Sequence, residues 1–326
     1  MFNVRTDLAI EAREIYAKEH KNKSEIDGVI VKEENKSRVK VTKVEVTSES
    51  GAQKIGKPVG NYITIDMPEL TSYDGEVIDD ISEVLADNIS ELVDTSKTSS
   101  TLVVGLGNWN VTPDSLGPKV AEKIMITRHL KTMMPDSIDD AVRSVCAIAP
   151  GVLGTTGIET GEIIKSLVDK IKPSLVICID ALASRRLERV NRTIQLGDTG
   201  IAPGAGVGNH RMQINKENLG VPVLAIGVPT VVDAATIAND TIDLLLDEMI
   251  ENSDKGGEFY SMLKTIDKKE KSKLIKEVLN PYVGSLMVTP KDVDTIIEAV
   301  SRIISNGINL ALQPDLEIED INKFMN

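Results

Sequence analysis

Apolar residues recur along this chain in two rhythms. From Glu76 to Val93 they return every three or four positions, so that Ile78, Ile81, Val84, Leu85, Ile89 and Leu92 form one stripe, the mark of an amphipathic helix. The same rhythm returns from Asp292 to Ile304, with Val293, Ile296, Ile297, Val300, Ile303 and Ile304 on one side, and a further helix is predicted from about Ala234 to Ile250. The second rhythm is the short unbroken apolar run. Runs near 101–105, 142–149, 174–180 and 222–227 read as strands buried on both faces, with helices between them, and this alternation predicts a parallel sheet. Residues 26–67 differ again. They carry three short β-type runs, Gly28–Val31, Val39–Val46 and Tyr62–Ile65, and the alternation of apolar and charged residues in the second predicts a strand with one wet face. In the first twenty residues Leu8, Ile10, Ala12, Ile15 and Tyr16 fall loosely on one helical face, after Asp7 as an N-cap. The segment 251–276 is charged and poor in apolar residues, and reads as an exposed helix pair or an excursion from the body. These patterns predict an α/β protein: one large doubly wound domain with a mostly parallel sheet, carrying additional β-rich N-terminal elements.

A chain of 326 residues can bury a large core, and a formal charge of −13 argues against a dedicated nucleic-acid binder. The only dense basic cluster is Arg185, Arg186, Arg189 and Arg192, which reads as a solvated helix face or an inter-subunit strip more readily than as a phosphate site. Cys146 and Cys178 lie inside apolar runs and read as inert core thiols in a reducing compartment. No signal peptide and no uncharged apolar run long enough to span a bilayer is visible, so a soluble, intracellular protein is expected.

Candidate chemistry concentrates in the loop from Gly105 to Pro118, which follows the predicted strand Thr101–Val104 and precedes a helix beginning near Lys119. Such a loop lies at the carboxyl edge of a parallel sheet, where open α/β folds place their sites. It carries Asp114, which in the plainest case only caps the helix that follows. A second acid, Asp180, ends the apolar run Leu175–Ile179, where a carboxylate costs desolvation unless partnered or functional. If those strands are neighbours, Asp114 and Asp180 face one crevice. Paired carboxylates split their pKa values, so that one holds a proton while the other acts on water; the same pair could instead hold a divalent cation.

Two Gly-rich loops, 149–162 with Gly151 and Gly154, and 198–209 with Gly204, Gly206 and Gly208, are expected to border this crevice, where glycines permit close approach of an extended peptide. They could equally be turns. The loop after Thr101–Val104 lacks the third glycine of the dinucleotide fingerprint, and the chain has no phosphate-loop lysine motif and no HExxH. His20, His129 and His210 show no metal-ligand spacing, although His210 could join the two acids as a third ligand.

The segment Gly105–Pro118, with Gly-Leu-Gly-Asn-Trp-Asn-Val-Thr-Pro-Asp at its start, resembles the signature of the bacterial spore germination proteases. So do Ile179-Asp180-Ala181-Leu182-Ala183-Ser184-Arg185, Pro203–Asn209 and the opening Val4-Arg5-Thr6-Asp7-Leu8-Ala9-Ile10-Glu11, and the likeness runs from the first residues to about residue 240. That family degrades the small acid-soluble proteins that coat DNA in dormant spores. It is made as an inactive zymogen that trims its own amino terminus, and it assembles as a homotetramer. The resemblance implies an atypical aspartate-dependent endopeptidase of the cytoplasm (the spore core), with Asp114 and Asp180 catalytic, no cofactor or metal, and neither membrane nor direct nucleic-acid contact. It also implies a phosphorylase/hydrolase-like fold akin to that of hydrogenase-maturation proteases, in which the matching acids bind nickel with a histidine; this chain shows no clearly equivalent histidine.

Substrates of the family are cut after an acidic residue followed by an aliphatic or aromatic residue, Ala, any residue and Glu. Asp7-Leu8-Ala9-Ile10-Glu11 fits that pattern, which predicts self-cleavage at Asp7–Leu8, a propeptide 1–7 and a single peptidase domain 8–326, with 26–67 as a β-rich extension. Protonation of carboxylates in so acidic a chain could switch that step on. Two rivals remain open: a metal-dependent peptidase with the same acids as ligands, and a binding module that holds an acidic spore protein in its Gly loops without cutting it.

Overall fold

The strand and helix rhythms converge on one mixed sheet covered on both faces. A computed structural model describes residues 6–20, 26–68, 75–93, 100–203, 211–254, 257–265, 274–275, 277–278 and 286–325. Its strands are β1 (Val29–Lys36), β2 (Val39–Val46), β3 (Gly60–Asp66), β4 (Ser100–Gly105), β5 (Ser144–Ile148), β6 (Leu175–Ser184), β7 (Thr193–Gly197), β8 (Val223–Asp233) and β9 (Met287–Val288). They lie in the order β1-β2-β3-β7-β8-β6-β4-β5, with β9 on the end of β8. The half β8-β6-β4-β5 is parallel. The half β1-β2-β3-β7 is antiparallel and joins β8 through an antiparallel β7–β8 pair. The N-terminal β-rich segment therefore extends the main sheet instead of forming a separate layer.

The described helices are α1 (Ala9–Glu19), α2 (Glu49–Ile55), α3 (Gly75–Leu92), α4 (Leu116–Glu122), α5 (Arg128–Met133), α6 (Leu153–Thr156), α7 (Thr160–Ile171), α8 (Lys216–Leu219), α9 (Ala234–Glu251), α10 (Glu258–Lys264), α11 (Val293–Leu312) and α12 (Ile318–Met325). The stripes of α3 and α11 meet on one face of the sheet. There Ile81, Leu85, Ile304 and Ile308 join Val103, Ile177 and Ile179 in the largest core cluster. On the other face α7 lays Ile164 and Val168 against Leu102, Val104, Val176 and Cys178. Successive residues of β4 and β6 thus enter opposite cores, which is why those strands read as unbroken apolar runs. Val44, Val46 and Tyr62 of the antiparallel half share a smaller core with Ala9 of α1 and Ile55 of α2.

Several boundaries differ from expectation, each for a tertiary reason. β6 does not stop at Ile179 but continues to Ser184, because β8 pairs with it along that whole length. α11 runs on to Leu312, with Ile308, Ala311 and Leu312 buried. Asp7 does not cap α1: the N-cap position is Leu8, and the Asp7 carboxylate instead accepts a hydrogen bond from the Ala183 amide at 2.9 Å. Three arginines of the basic cluster pair with acids of the chain itself. Arg185 makes a bidentate pair with Asp240 at 2.8 Å, Arg186 pairs with Glu14, and Arg189 pairs with Glu14 and Asp66. Cys178 is buried as expected, whereas Cys146 is half-buried; both are free thiols. Among the described residues no helix is long and apolar enough to cross a membrane.

Candidate active site

β4 ends at Gly105, opposite Ile179 of β6. The next residue of β6 is Asp180, the first with no partner on β4, and at that point the sheet opens into a crevice. The chain leaving β4 is pinned there. The Leu106 amide donates to the Ile179 carbonyl at 2.8 Å, and Asn108 N–H donates to the Asp114 carbonyl at 3.0 Å, folding the loop back on itself. Gly107 makes this return possible, since its φ is +113° and a Cβ there would lie 2.0 Å from the Asp114 carbonyl oxygen. Gly117 lets α4 close on the strand end, where a Cβ would lie 2.2 Å from the Leu106 carbonyl oxygen. The glycines of this segment therefore serve to hold Asp114 over the end of β6. Asp114 itself closes a short 3₁₀ turn, Thr112–Asp114, and Ser115 occupies the N-cap position of α4, so the acid is not spent on capping.

Asp114 and Asp180 line one cavity of about 650 Å³. Burial pushes the Asp180 carboxyl well above the usual carboxylate range, and the negative charges of Asp114 and Asp7 push it further; the Ala181 amide and Arg211 oppose the shift. Asp114 is also raised by burial, against the Asn108 amide and Arg211. The structure thus brings the two acids to one crevice, with Asp7 as a third carboxylate in the same cavity. Among the described residues no group of three or more His, Cys, Asp or Glu side chains is arranged to hold a metal ion.

The amino-terminal segment enters this cavity as an extended strap. Asp7 N–H donates to the Ala183 carbonyl at 3.3 Å, matching the reverse bond from Ala183 to the Asp7 side chain. Leu8 and Ile10 are buried against Leu182. Glu11, 1% exposed, accepts from the backbone amides of Arg185 at 2.8 Å and Arg186 at 2.9 Å, and from the Thr6 hydroxyl. The Asp7 carbonyl oxygen accepts from Lys57 Nζ at 2.7 Å and from Gln195 Nε2 at 3.0 Å. Leu8 has extended backbone (φ −85°, ψ 127°), and helix α1 begins only after it. Asp7 and Glu11, the two acids of the Asp7–Glu11 pattern, are each gripped by backbone amides of the body, and Leu8 and Ala9 between them are fully buried.

The Gly-rich loops fare differently. Thr199, Gly200, Ile201 and Ala202 of the second loop line the cavity, but Gly204, Gly206, Gly208 and His210 lie outside the described residues. Gly151 and Gly154 of the first loop are not among the described lining residues, and Gly154 has open space where a Cβ would stand. Sequence reasoning missed Lys57, Tyr62 and Gln195. Lys57 gives no signal in the turn Gly56-Lys57-Pro58, whereas Gln195 is the polar residue in the middle of Thr-Ile-Gln-Leu-Gly, a run short enough to be passed over.

An acid pair, Asp180 buried and Asp114 half-buried, stands at the switch point of an α/β sheet and opens on a cavity entered by a segment of the chain held through its backbone, the arrangement of a candidate peptidase site. The particular family follows from comparison with known proteins. The family described as Germination protease matches residues 9–256 and 245–325, and this chain belongs to it. The germination protease of Clostridium perfringens (strain ATCC 13124) is 65% identical over 327 residues, covering all of both chains. That of Clostridium tetani is 62% identical, covering 99% of this chain and 100% of its own, and that of Bacillus mycoides is 42% identical over 99% and 97%. The chain is accordingly a protease. Among solved structures, a [NiFe] hydrogenase maturation protease, HycI, from Thermococcus kodakarensis overlaps 60% of this chain and 99% of its own at 19% identity and a TM-score of 0.29, too loose an overlap to bear on the chemistry of the site.

Proposed function

We propose that this protease is synthesised with residues 1–7 as a propeptide, removes them by cutting its own Asp7–Leu8 bond, and then degrades small acid-soluble spore proteins at similar sequences. The observation that carries this reading is the position of the Asp7–Leu8 bond: extended, and entering the cavity lined by Asp114 and Asp180. The zymogen is then a complex of the enzyme with its own first substrate, and residues 8–326 form the peptidase proper.

In this reading Asp180, buried and facing the negative charges of Asp114 and Asp7, holds the proton of the pair, while the half-buried Asp114 is ionised. Asp114 accepts a proton from water as its oxygen attacks the Asp7 carbonyl carbon. The proton on Asp180 passes to the Leu8 nitrogen as the C–N bond breaks, leaving a new carboxyl on Asp7 and a new amine on Leu8. Mild acid favours this state because one proton must stay on the pair. The homotetramer and the spore-core location belong to the same reading. Assembly is supported by an exposed apolar strip, Leu244, Leu245 and Met249 of α9 with Phe259 and Met262 of α10.

Intact mass after mild acid incubation tests the proposal. Wild type should lose Met1–Asp7 and Asp180→Asn should not. A wild type that stays intact while cutting spore-protein substrate overturns self-processing, and trimming of both proteins removes Asp180 from the chemistry.

A further inference from the structure

The antiparallel half of the sheet contributes more than a wall to the cavity. Two donors from separate elements converge on one oxygen atom, the carbonyl of Asp7: Lys57 Nζ at 2.7 Å, from the turn that follows α2, and Gln195 Nε2 at 3.0 Å, from the middle of β7. We infer that Lys57 and Gln195 form the site that holds the carbonyl oxygen of the bond to be cut and stabilises the negative charge it gains when water adds to the carbon. The inference rests on the reading of Asp7–Leu8 as that bond, and it assigns catalytic roles to two residues beyond the aspartate pair.

Gln195 also fixes its own orientation. Its Oε1 accepts from the Ala9 amide at 2.5 Å while its Nε2 donates to the Asp7 carbonyl, so the side-chain amide brackets the Asp7–Leu8 bond from both sides. A flipped amide would set donor against donor at Ala9. Gln195 therefore reads peptide backbone and not side chains, which suits an enzyme that must accept many copies of a short pattern in different proteins. Lys57 supplies the full charge. Its ammonium end is withdrawn from water, and that burial lowers its pKa against the pull of the Asp7 and Glu11 carboxylates. A cation held in such surroundings acts on a developing oxyanion more strongly than one in bulk water.

The position of the donors also accounts for the balance of charge. Addition of water places a negative charge on the carbonyl oxygen while the proton released goes to Asp114. The step thus moves one negative charge from Asp114 onto the carbonyl oxygen, close to the Asp7 carboxylate. Lys57 is a cation bonded to that oxygen; when the C–N bond breaks, the oxygen's electron pair re-forms the C=O bond, Asp180 gives its proton to the Leu8 nitrogen, and the negative charge ends on Asp180.

The test uses the full chain and follows the rate of loss of Met1–Asp7 by intact mass in wild type, Lys57→Met, Lys57→Arg, Gln195→Glu and Lys54→Met. Removing one such donor should slow the step by about 10²-fold. Lys57→Met and Gln195→Glu are each expected to fall by that factor with thermal unfolding midpoints near that of wild type. Lys57→Arg, which keeps a cationic donor, should recover part of the rate. Lys54→Met, in the last turn of α2 but paired with Asp27, should match wild type. If wild type cuts and both Lys57→Met and Gln195→Glu cut as fast, the clamp is overturned while self-processing stands. If Lys57→Met fails to fold, Gln195→Glu decides alone. If wild type does not cut at Asp7–Leu8, self-processing and the clamp on this bond fall together.

Discussion

The two halves of the sheet bring different groups to the cavity. The parallel half, β5-β4-β6-β8, brings the acids: Asp180 lies on β6 and Asp114 on the loop that leaves β4. The antiparallel half, β1-β2-β3-β7, brings the donors: Gln195 lies on β7, and Lys57 lies in the turn before β3. The amino-terminal strap spans the seam. Its Asp7 carboxylate binds the Ala183 amide on β6, while its Asp7 carbonyl is held from β7 and the α2–β3 turn. An active site needs both proton transfer and charge stabilisation. In the proposed reading each falls to a different kind of strand pairing, and the Asp7 strap joins the two.

If that division is right, loosening the strap on the parallel side should uncouple the halves without touching either set of groups. Glu11 is the lever. Its carboxylate accepts two backbone amides, and replacing it with Gln turns one oxygen into a donor that faces an N–H. Hydrogen bonds to a charged group are worth about 1.5–3 kcal/mol. Glu11→Gln should therefore raise hydrogen exchange of the Leu8–Glu11 amides by roughly ten- to a hundredfold, while protection of β4 and β6 is kept. Unchanged exchange in the strap would show that Asp7 and the buried Leu8 hold it alone.

The parallel half was legible in the sequence because its strands are apolar on both faces and its one long loop is punctuated by Gly105, Gly107 and Gly117. Asp114 and Asp180 stood out as acids against that background, and their neighbouring strands bring them together. The antiparallel half was legible only as strands. β7 went unread because five residues following an arginine-rich turn give too short a pattern to separate from loop. Lys57 could not be read because what makes it significant is the carbonyl of Asp7, fifty residues away in sequence. The same limit explains Asp7. Its position before an amphipathic run predicts a cap, but the Ala183 amide and the cavity compete for that carboxylate and win, leaving Leu8 at the cap position with no side-chain bond. Local chemistry is visible in sequence when the signal is a departure from pattern on one element; it is invisible when two elements create it.

A smaller effect measures how far the parallel half is strained by its acids. Asp180 is buried with its carboxyl raised above the ordinary value of 3.8, so the folded protein binds a proton there more tightly than the unfolded chain does. Its contribution favours folding at pH below 3.8 and is progressively lost as pH rises from there through the folded value. Asp180→Asn, which cannot ionise, should unfold at higher temperature than wild type at pH 7, by about 1–2 kcal/mol in stability, and the gap should narrow as pH is lowered toward 4. Thermal melts at several pH values check this. A gap independent of pH would mean that Asp180 is not the group under strain.

Glu298 is the counterpart that shifts the other way. It lies on α11 beside α4, the helix that follows the Asp114 loop, and its carboxylate meets Lys119 at 3.1 Å and Lys123 at 3.0 Å. Burial alone would raise its pKa, but hydrogen bonds and charge from Lys123 and Lys119 outweigh burial, and the net shift is downward from 4.5. The sign of the linkage is therefore reversed: its stabilisation is present above 4.5 and is lost as pH falls from there through the folded value. Because Glu298 is 47% exposed, solvent and salt screen the pair, and the contribution should be below about 1 kcal/mol. Glu298→Gln should lower stability slightly at pH 7, by less at high salt, and by progressively less as pH falls below 4.5. In the double variant with Asp180→Asn the two changes should add, since they act through groups that share no partner. A departure from additivity would mean that α4 transmits strain from the acid pair to α11, and that the Asp114 loop is held less rigidly than its glycine-pinned geometry implies.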